Sequence, residues 1–474
     1  MNHYYITTTL PYVNADPHIG FAWEIVTADT LARHHQLMGD QVIFNTGTDE
    51  HGLKIFRQAE ECHMTPQAYV DGYAAKFKDL KNLLNLSMTH FVRTTDPHHI
   101  QAAQVFWKRC LNRGDIYKKM YKVKYCVGCE LEKTESELVD GLCPLHPNKE
   151  IEIIEEENYF FRFSAYQQPL LDFYAKHPNF VQPESKMRAI VAFVEQGLED
   201  FSVSRLKTKM PWGIEVPGDA NQVMYVWFDA LINYVSTLGW PEDVESFENN
   251  WPGIQIAGKD NLRQQAAMWQ AMLMSAELPN SKQILINGFI SVEGQKMSKS
   301  MGNVISPTDM VSRYGVDGTR FLLLSLGPIS TDADVSWKQF DMSYNGYLAN
   351  SLGNTVQRIA TLASRSGFIF EHTTHIAANP AVFDLLEQYR FVEALTELWK
   401  SVSGLEKHID AVKPWTLSGE ELRGFLAEAI VVLREIGCTL QPFMPSTAAA
   451  ITHLFEGSTI PAPTPLFPRL IPLS

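Results

Sequence analysis

Residues 3–26 read HYYITTTLPYVNADPHIGFAWEIV, and this stretch decides the fold. Residues 3–9 are a β-branched and aromatic run, the composition of a strand. Residues 10–17 are rich in turn formers. Over 18–38 apolar residues recur at helical spacing, and Gly39 closes the segment. A second apolar strand follows over 41–45. Strand, loop, helix and strand in this order open a nucleotide-binding α/β domain.

The same grammar returns late, with a strand predicted over 254–257, a helix over 261–277 and a strand over 283–291. These α/β halves flank a region of different character, residues 118–217, which holds clustered cysteines and the alternating run 150–163. It reads as an insertion into a split parallel sheet. After Ser343 the pattern is helical over 344–363, 380–412 and 419–440, which predicts an all-α bundle, with the Pro-rich tail 461–472 as an extended strap. The expected domains are therefore a Rossmann-type first half (1–117), the insertion (118–217), the second half with a lysine loop (218–325), a linker (326–343) and the bundle with its tail (344–474).

Composition sets bounds on partners. Of the 474 residues 45% are hydrophobic and 20% charged, ordinary for a globular protein of several domains. A formal charge of −14 argues against a protein that coats nucleic acid without specificity, although a local basic patch remains compatible with it. No run reaches the roughly 18 apolar residues of a membrane span. The N-terminus lacks the basic-then-apolar layout of a signal peptide, so a cytoplasmic location is expected. Six cysteines do not suggest a disulfide scaffold; Cys62, Cys110 and Cys438 are expected in packed interiors or on helix faces.

Three motifs carry chemistry. Pro17-His18-Ile19-Gly20-Phe21 stands at the first strand-to-helix junction. A helix start offers free N–H groups and a positive dipole end to phosphate; His18 can hydrogen-bond a phosphoryl oxygen, and Gly20 permits close approach. Lys296-Met297-Ser298-Lys299-Ser300 lies in a glycine-flanked loop, where two lysines can neutralise charge on a departing pyrophosphate. Cys126 and Cys129, then Cys143 and His146, have the spacing of a four-ligand zinc knuckle, a structural site because no position is left open.

With the first two motifs in this order at opposite ends of a split α/β domain, the sequence resembles the class I aminoacyl-tRNA synthetases. Thr48-Asp49-Glu50-His51-Gly52, Ser202-Val203-Ser204-Arg205, Tyr225-Val226-Trp227-Phe228-Asp229-Ala230-Leu231 and Gly258-Lys259-Asp260 narrow the resemblance to the methionyl-tRNA synthetase family. The resemblance implies ATP-dependent activation of an amino acid, methionine by default, and its transfer to tRNA(Met). ATP, with Mg2+, would be met by His18, Gly20, Gly258, Asp260, Lys296, Ser298 and Lys299, of which His18, Lys296 and Lys299 would be catalytic. The amino acid would be held by Leu10, Tyr12, Asp49, Trp227, Tyr234, Asn261 and Gln265, with Asp49 on the ammonium group. Structural Zn2+ would sit on the knuckle. Asn354, Arg358 and Trp415 would meet the anticodon, where arginine and tryptophan can stack on unpaired bases. The chain lacks an appended module after the bundle, so a monomer is expected.

Two departures keep a second function open. The first motif ends in Phe21 where the family has a second histidine, which would cost a phosphate donor, on the order of 3 kcal/mol. The segment Asn261-Leu262-Arg263-Gln264-Gln265 carries two glutamines where the family has an aromatic residue and a histidine, and an unpaired amide there would penalise a thioether by roughly 1–3 kcal/mol. The alternative is a synthetase-like enzyme that activates another amino acid and acylates a small molecule, such as an N-hydroxylamine, independently of tRNA. A third reading, a regulatory or RNA-binding relic, runs against the intact lysine loop, Asp49 and Asp260.

Overall fold

The computed structural model describes residues 2–471 apart from 130, 134–136, 298–300, 328, 330 and 372–375. The chain divides into two compact units, one of residues 1–17, 42–79 and 88–286, the other of 18–41, 80–87 and 287–474.

The first unit is built on a six-stranded sheet in the order His90–Arg93, Gln41–Thr48, His3–Thr8, Ile254–Gly258, Gln283–Asn287, Val181–Gln182. His3–Thr8 pairs in parallel with Ile254–Gly258, Ile6 opposite Ile254. Gln41–Thr48 with His90–Arg93, and Gln283–Asn287 with Val181–Gln182, are also parallel. The chain winds outward on one side from His3–Thr8 and on the other from Ile254–Gly258, so the order reverses between them. In open α/β sheets ligands bind outside the carboxyl ends of strands at such a reversal. Leu10, Tyr12 and Asp260 follow those two ends directly.

Between the halves lies an antiparallel sheet in the order Leu131–Lys133, Ile116–Cys126, Glu152–Phe161, Phe201–Ser202. Its long ribbon pairs Ile116 with Phe161 and Tyr125 with Glu152. The expected insertion thus has a sheet of its own, while Val181–Gln182 returns to the parallel sheet. Trp107, Phe161, Phe228, Tyr234 and Trp269 are among the buried side chains of the unit's apolar core.

The second unit is mainly helical. Its long helices are Ile19–Leu37, Pro307–Leu324, Asn354–Ser366, Phe391–Val412, Gly419–Leu440 and Pro445–Glu456. The expected helix over 380–412 is two, Pro380–Glu387 and Phe391–Val412, because Tyr389 takes a positive φ of 59° between them. Pro445–Glu456 was not expected from the sequence; it starts with Pro445 at its first position, which suits a helix start. The stretches around 261–277 and 344–363 are broken into π-helical Gln264–Met268 and Tyr344–Gly353 followed by α-helix. The tail is a strap as expected: Asn345 and Leu470 exchange two hydrogen bonds of 2.9 Å. Cys110 is buried, Cys438 partly so, and Cys62 is exposed at the C-cap of the helix Leu53–Glu61. Among the described residues, no helix is long and apolar enough to cross a membrane.

Candidate active site

In the first unit, Asp49 and Tyr12 form a parallel bridge just past the strand ends. The Asp49 amide donates to Pro11 O at 3.0 Å, and the Val13 amide donates to Asp49 O at 3.2 Å. The backbone on both sides of Tyr12 thus fixes the carboxylate, which is 7% exposed. Glu50, fully buried, anchors the same segment. It accepts two bonds from the Arg93 guanidinium at 2.6 and 2.9 Å and one each from Thr48 and Thr95 at 2.6 Å. A bidentate charged pair of this kind fixes orientation as well as energy. The next residue, His51, pairs through Nδ1 with Asp229 at 3.0 Å. Burial opposes the charge on Asp229, but His51 and His99 outweigh it and hold its carboxyl below the ordinary value.

Tyr234 and Gln265 are joined. Gln265 Nε2 donates to the Tyr234 hydroxyl at 2.8 Å, and Gln265 Oε1 accepts from Gln255 at 3.1 Å. The expectation of an unpaired amide at this corner is therefore corrected for Gln265, whose two amide ends are both engaged. The adjacent Gln264 has a buried Oε1 with no hydrogen-bond partner among the described residues. Leu10 and Trp227 are half-buried, Leu10 at the end of the first strand and Trp227 two residues before Asp229 on the helix Val226–Leu231. Gly258 ends its strand, and a side chain there would meet Asp260 Oδ1 at 2.8 Å, so glycine gives Asp260 its place. Asp260 is exposed and accepts from the Asn261 side-chain Nδ2 at 3.4 Å.

In the second unit, His18 is the N-cap of Ile19–Leu37, its Nδ1 accepting from the Gly20 amide at 3.0 Å. An imidazole that accepts through Nδ1 carries its proton on Nε2, the nitrogen that can donate to phosphate. The Ile19 amide donates to Ile305 O at 3.0 Å, tying the helix start to the segment after the lysine loop. A methyl group on Gly20 would lie 3.8 Å from the Met297 terminal carbon, so the two motifs adjoin within this unit. Phe21 is buried at 9% exposure in the first turn of the helix.

The loop leaves a tight hairpin. Ile290–Val292 pairs with Gln295–Lys296 across Glu293 and Gly294, both at positive φ (53° and 76°), the geometry of a two-residue primed turn. Asp334 accepts from the Gly294 amide at 2.8 Å and from Ser291 at 2.7 Å, and these bonds hold its carboxyl below the usual range. Lys296 is exposed at the end of the hairpin. Ser298 and Lys299 lie outside the described residues.

Cys126, Cys129, Cys143 and His146 converge, their ligating atoms all within 4.8 Å of one another. Cys129 and Cys143 sulfurs are 3.4 Å apart, and His146 Nδ1 is 3.2 Å from Cys129 and 3.8 Å from Cys126. A tetrahedral ion with bonds of about 2.0–2.3 Å requires ligand separations of about 3.3–3.8 Å, so the donor set suits zinc. Burial pushes the Cys129 thiol up to about 12. Burial also opposes ionisation of Cys143, but hydrogen bonds from Cys129 and the Leu145 backbone outweigh it. Three thiolates together need a cation. Gly128 is required for the approach of His146, because a Cβ there would lie 2.4 Å from the ring.

At the bundle, the Arg358 guanidinium lies over the Trp415 ring, 5.4 Å from its centre, and 3.5 Å from Asp410. Trp415 is 54% exposed. Asn354 is exposed one turn before Arg358 on the same helix.

The sequence reading missed Gln255, Asp229 and Arg93 as members of the site's support. One signal for Gln255 existed: a lone amide between Ile254 and Ile256 in a strand whose neighbours are all apolar.

Comparison with known proteins agrees with this arrangement. The family model for class I tRNA synthetases of the methionine type, "tRNA synthetases class I (M)", matches residues 4–151 and 137–360. The chain is 42% identical to a methionine–tRNA ligase of Caldanaerobacter subterraneus, over 94% of this chain and 72% of that protein. It is 36% identical to the methionine–tRNA ligase of Brucella melitensis, over 99% of this chain and 98% of that protein. The solved structure of Mycobacterium tuberculosis methionyl-tRNA synthetase in complex with methionyl-adenylate superposes with a TM-score of 0.91 at 34% identity, covering 99% of this chain and all of that one. By sequence and by fold alike, the chain belongs to the methionyl-tRNA synthetase family of class I aminoacyl-tRNA synthetases.

Proposed function

We propose that this chain is a methionine–tRNA ligase that works in two steps. The methionine carboxylate attacks the α-phosphorus of ATP; a carboxyl-oxygen-to-phosphorus bond forms, the bond to the β-phosphate oxygen breaks, and pyrophosphate leaves. A terminal ribose hydroxyl of tRNA(Met) then attacks the carbonyl carbon of methionyl-adenylate and AMP departs. Asp49 holds the substrate ammonium, and Asp260 takes the ribose hydroxyls beside Gly258. The Nε2 proton of His18, the helix start at Gly20 and the loop lysines Lys296 and Lys299 meet the charge that develops on the phosphates. Mg2+ accompanies ATP as part of the substrate. Zn2+, held by Cys126, Cys129, Cys143 and His146, supplies a structural crosslink.

The observation that carries this reading is identity of 36% and more to methionine–tRNA ligases across nearly the whole chain. The small-molecule acylation reading keeps only one of its two glutamines, since Gln265 is engaged at both amide ends while Gln264 Oε1 has no partner among the described residues. Residues 1–117 and 218–325 serve as the catalytic halves, 118–217 as the insertion, 326–343 as the linker and 344–474 as the anticodon-side bundle, in which Asn354, Arg358 and Trp415 present the RNA-facing surface. The enzyme works as a cytoplasmic monomer, which its elution volume in solution tests. The decisive experiment is ATP–pyrophosphate exchange with each of the twenty amino acids, followed by charging of tRNA(Met). Exchange with methionine and stable methionyl-tRNA are expected. Exchange with a different amino acid only, or methionyl-adenylate formed without tRNA charging, overturns the reading.

A further inference from the structure

The chain past Asp49 is held by a residue that has no part in the steps above. Trp212 stands in the loop between the strands Ser204–Leu206 and Glu215–Val216. Both strands flank Asp219–Met224 in a three-stranded antiparallel sheet, separate from the parallel one. The Met224 amide donates to Ile214 O at 2.7 Å and closes the loop against the middle strand. From this loop Trp212 reaches the segment 50–52 twice. Its indole Nε1 donates to Glu50 O at 2.6 Å. Its carbonyl accepts from the Gly52 amide at 3.1 Å. Its ring lies 5.5 Å from the His51 ring, centre to centre.

Peptide units are planar, so a bond to one backbone N–H or C=O fixes a whole plane. Pro11 and Val13 fix the plane on each side of Asp49, and the Glu50 amide adds a bond to Thr94 Oγ1 at 3.0 Å. Pro11 and Thr94 follow strands of the parallel sheet. The next two planes, Glu50–His51 and His51–Gly52, are fixed by Trp212, from the other sheet. Gly52 gives its N–H to Trp212 at a φ of 117°, a conformation that side-chain-bearing residues rarely adopt. Glu50 is fully buried. Without the indole N–H its carbonyl would lack a donor in a dry interior, the costly case. Turning the Glu50–His51 plane towards another donor relieves that cost and turns the chain at Asp49 with it.

We infer that Trp212 is a positioning residue for the ammonium site: its two bonds to the segment 50–52 set the aim of the Asp49 carboxylate. The inference rests on the methionine reading above, in which Asp49 holds the substrate ammonium. Trp212 acts through Asp49 and touches no substrate itself. A charge-assisted hydrogen bond weakens steeply with angle, so a small turn of the carboxylate loosens the ammonium and leaves the contacts to the rest of the amino acid and to ATP in place.

The test is ATP–pyrophosphate exchange on the full chain in Trp212→Leu and Trp212→Phe. Trp212→Phe keeps an aromatic ring beside His51 and removes the indole N–H, and it decides the matter should Trp212→Leu not fold. Two competitive inhibitors of exchange separate the ammonium from the rest of the ligand. Methioninol keeps the ammonium and lacks the carboxylate; γ-(methylthio)butyrate keeps the carboxylate and lacks the ammonium. In Trp212→Phe the KM for methionine is expected to rise about tenfold, the size of one buried hydrogen bond, with kcat and the KM for ATP unchanged. The inhibition constant of methioninol rises by the same factor, and that of γ-(methylthio)butyrate stays. Added to Asp49→Asn, Trp212→Phe brings no further loss, because the carboxylate it aims is already gone. An unchanged KM for methionine in Trp212→Phe overturns the inference and spares the functional reading. So does an equal rise in both inhibition constants, or a full additional loss in the double variant. A parent chain that exchanges with another amino acid and not methionine overturns both.

Discussion

The Gly20 amide donates to His18 Nδ1 across 3.0 Å, so one imidazole both caps the helix Ile19–Leu37 and presents its other nitrogen as a donor. The two roles separate by substitution. His18→Ala removes both: the rate of pyrophosphate exchange falls on the order of a hundredfold, the loss typical of one transition-state donor, and stability falls by about 1 kcal/mol. His18→Asn restores the cap, because Asn is a favoured N-cap residue, but its short side chain does not reach the phosphate. Thermal midpoints should therefore recover in His18→Asn while exchange stays slow. Recovery of both would reduce His18 to a cap.

Asp49→Asn keeps the backbone clamp to Pro11 and Val13 and removes only the charge. The KM for methionine is expected to rise by about ten- to a hundredfold, the value of a charge-assisted hydrogen bond, with the KM for ATP little changed. Steady-state exchange over a methionine titration measures this, and an unchanged KM would move the ammonium site elsewhere.

In the second unit, Arg320 and Asp29 form an ion pair of 2.7 Å with both side chains fully buried. Burial alone would raise the Asp29 carboxyl, but Arg320, Arg33 and the Ser87 donors outweigh it and hold it below its ordinary 3.8. A carboxyl depressed in the folded state stabilises the fold above its unfolded value and loses that contribution as pH falls through the folded one. Urea midpoints should therefore hold steady down to about pH 4 and drop below it. Arg320→Met strands a buried carboxylate and should cost about 3–5 kcal/mol at pH 7, with a flatter acid limb. A variant as stable as the parent would remove this pair from the account.

Gly128→Ala drives a methyl group against the His146 ring, 2.4 Å from its nearest atom. Purified variant protein should carry less than one zinc per chain where the parent carries one, read by atomic absorption. Equal zinc content would mean that the loop yields without loss of the ion.

Trp415→Ala removes an exposed ring that already stacks with Arg358. Charging of tRNA(Met) should show a KM for tRNA raised by roughly ten- to a hundredfold, the worth of one base stacked on an aromatic ring, with exchange untouched. Equal tRNA kinetics would make the pair a helix-end brace only.

Much of the site was legible because its parts are local in the chain. The knuckle ligands fall within residues 126–146, and the two turns that carry them need only their own spacing to be read. The helix start at His18 announces itself by the loop before it and the apolar period after it. The helix Pro445–Glu456 escaped because its run of small residues, Thr447-Ala448-Ala449-Ala450, has little amphipathic contrast.

The sequence by itself determined the alternation of strand and helix, the insertion, the cysteine knuckle and the family, since each rests on residue type and short spacing. Only the tertiary structure decided which strands are neighbours: Ile6 lies opposite Ile254, a pairing that burial and parallel register impose across the insertion. It also decided the fate of Gln265. A glutamine in a sequence has two faces of equal standing. Its amide is engaged at both ends, the oxygen accepting from Gln255 and the nitrogen donating to the Tyr234 hydroxyl, neighbours that the fold brings in from separate segments.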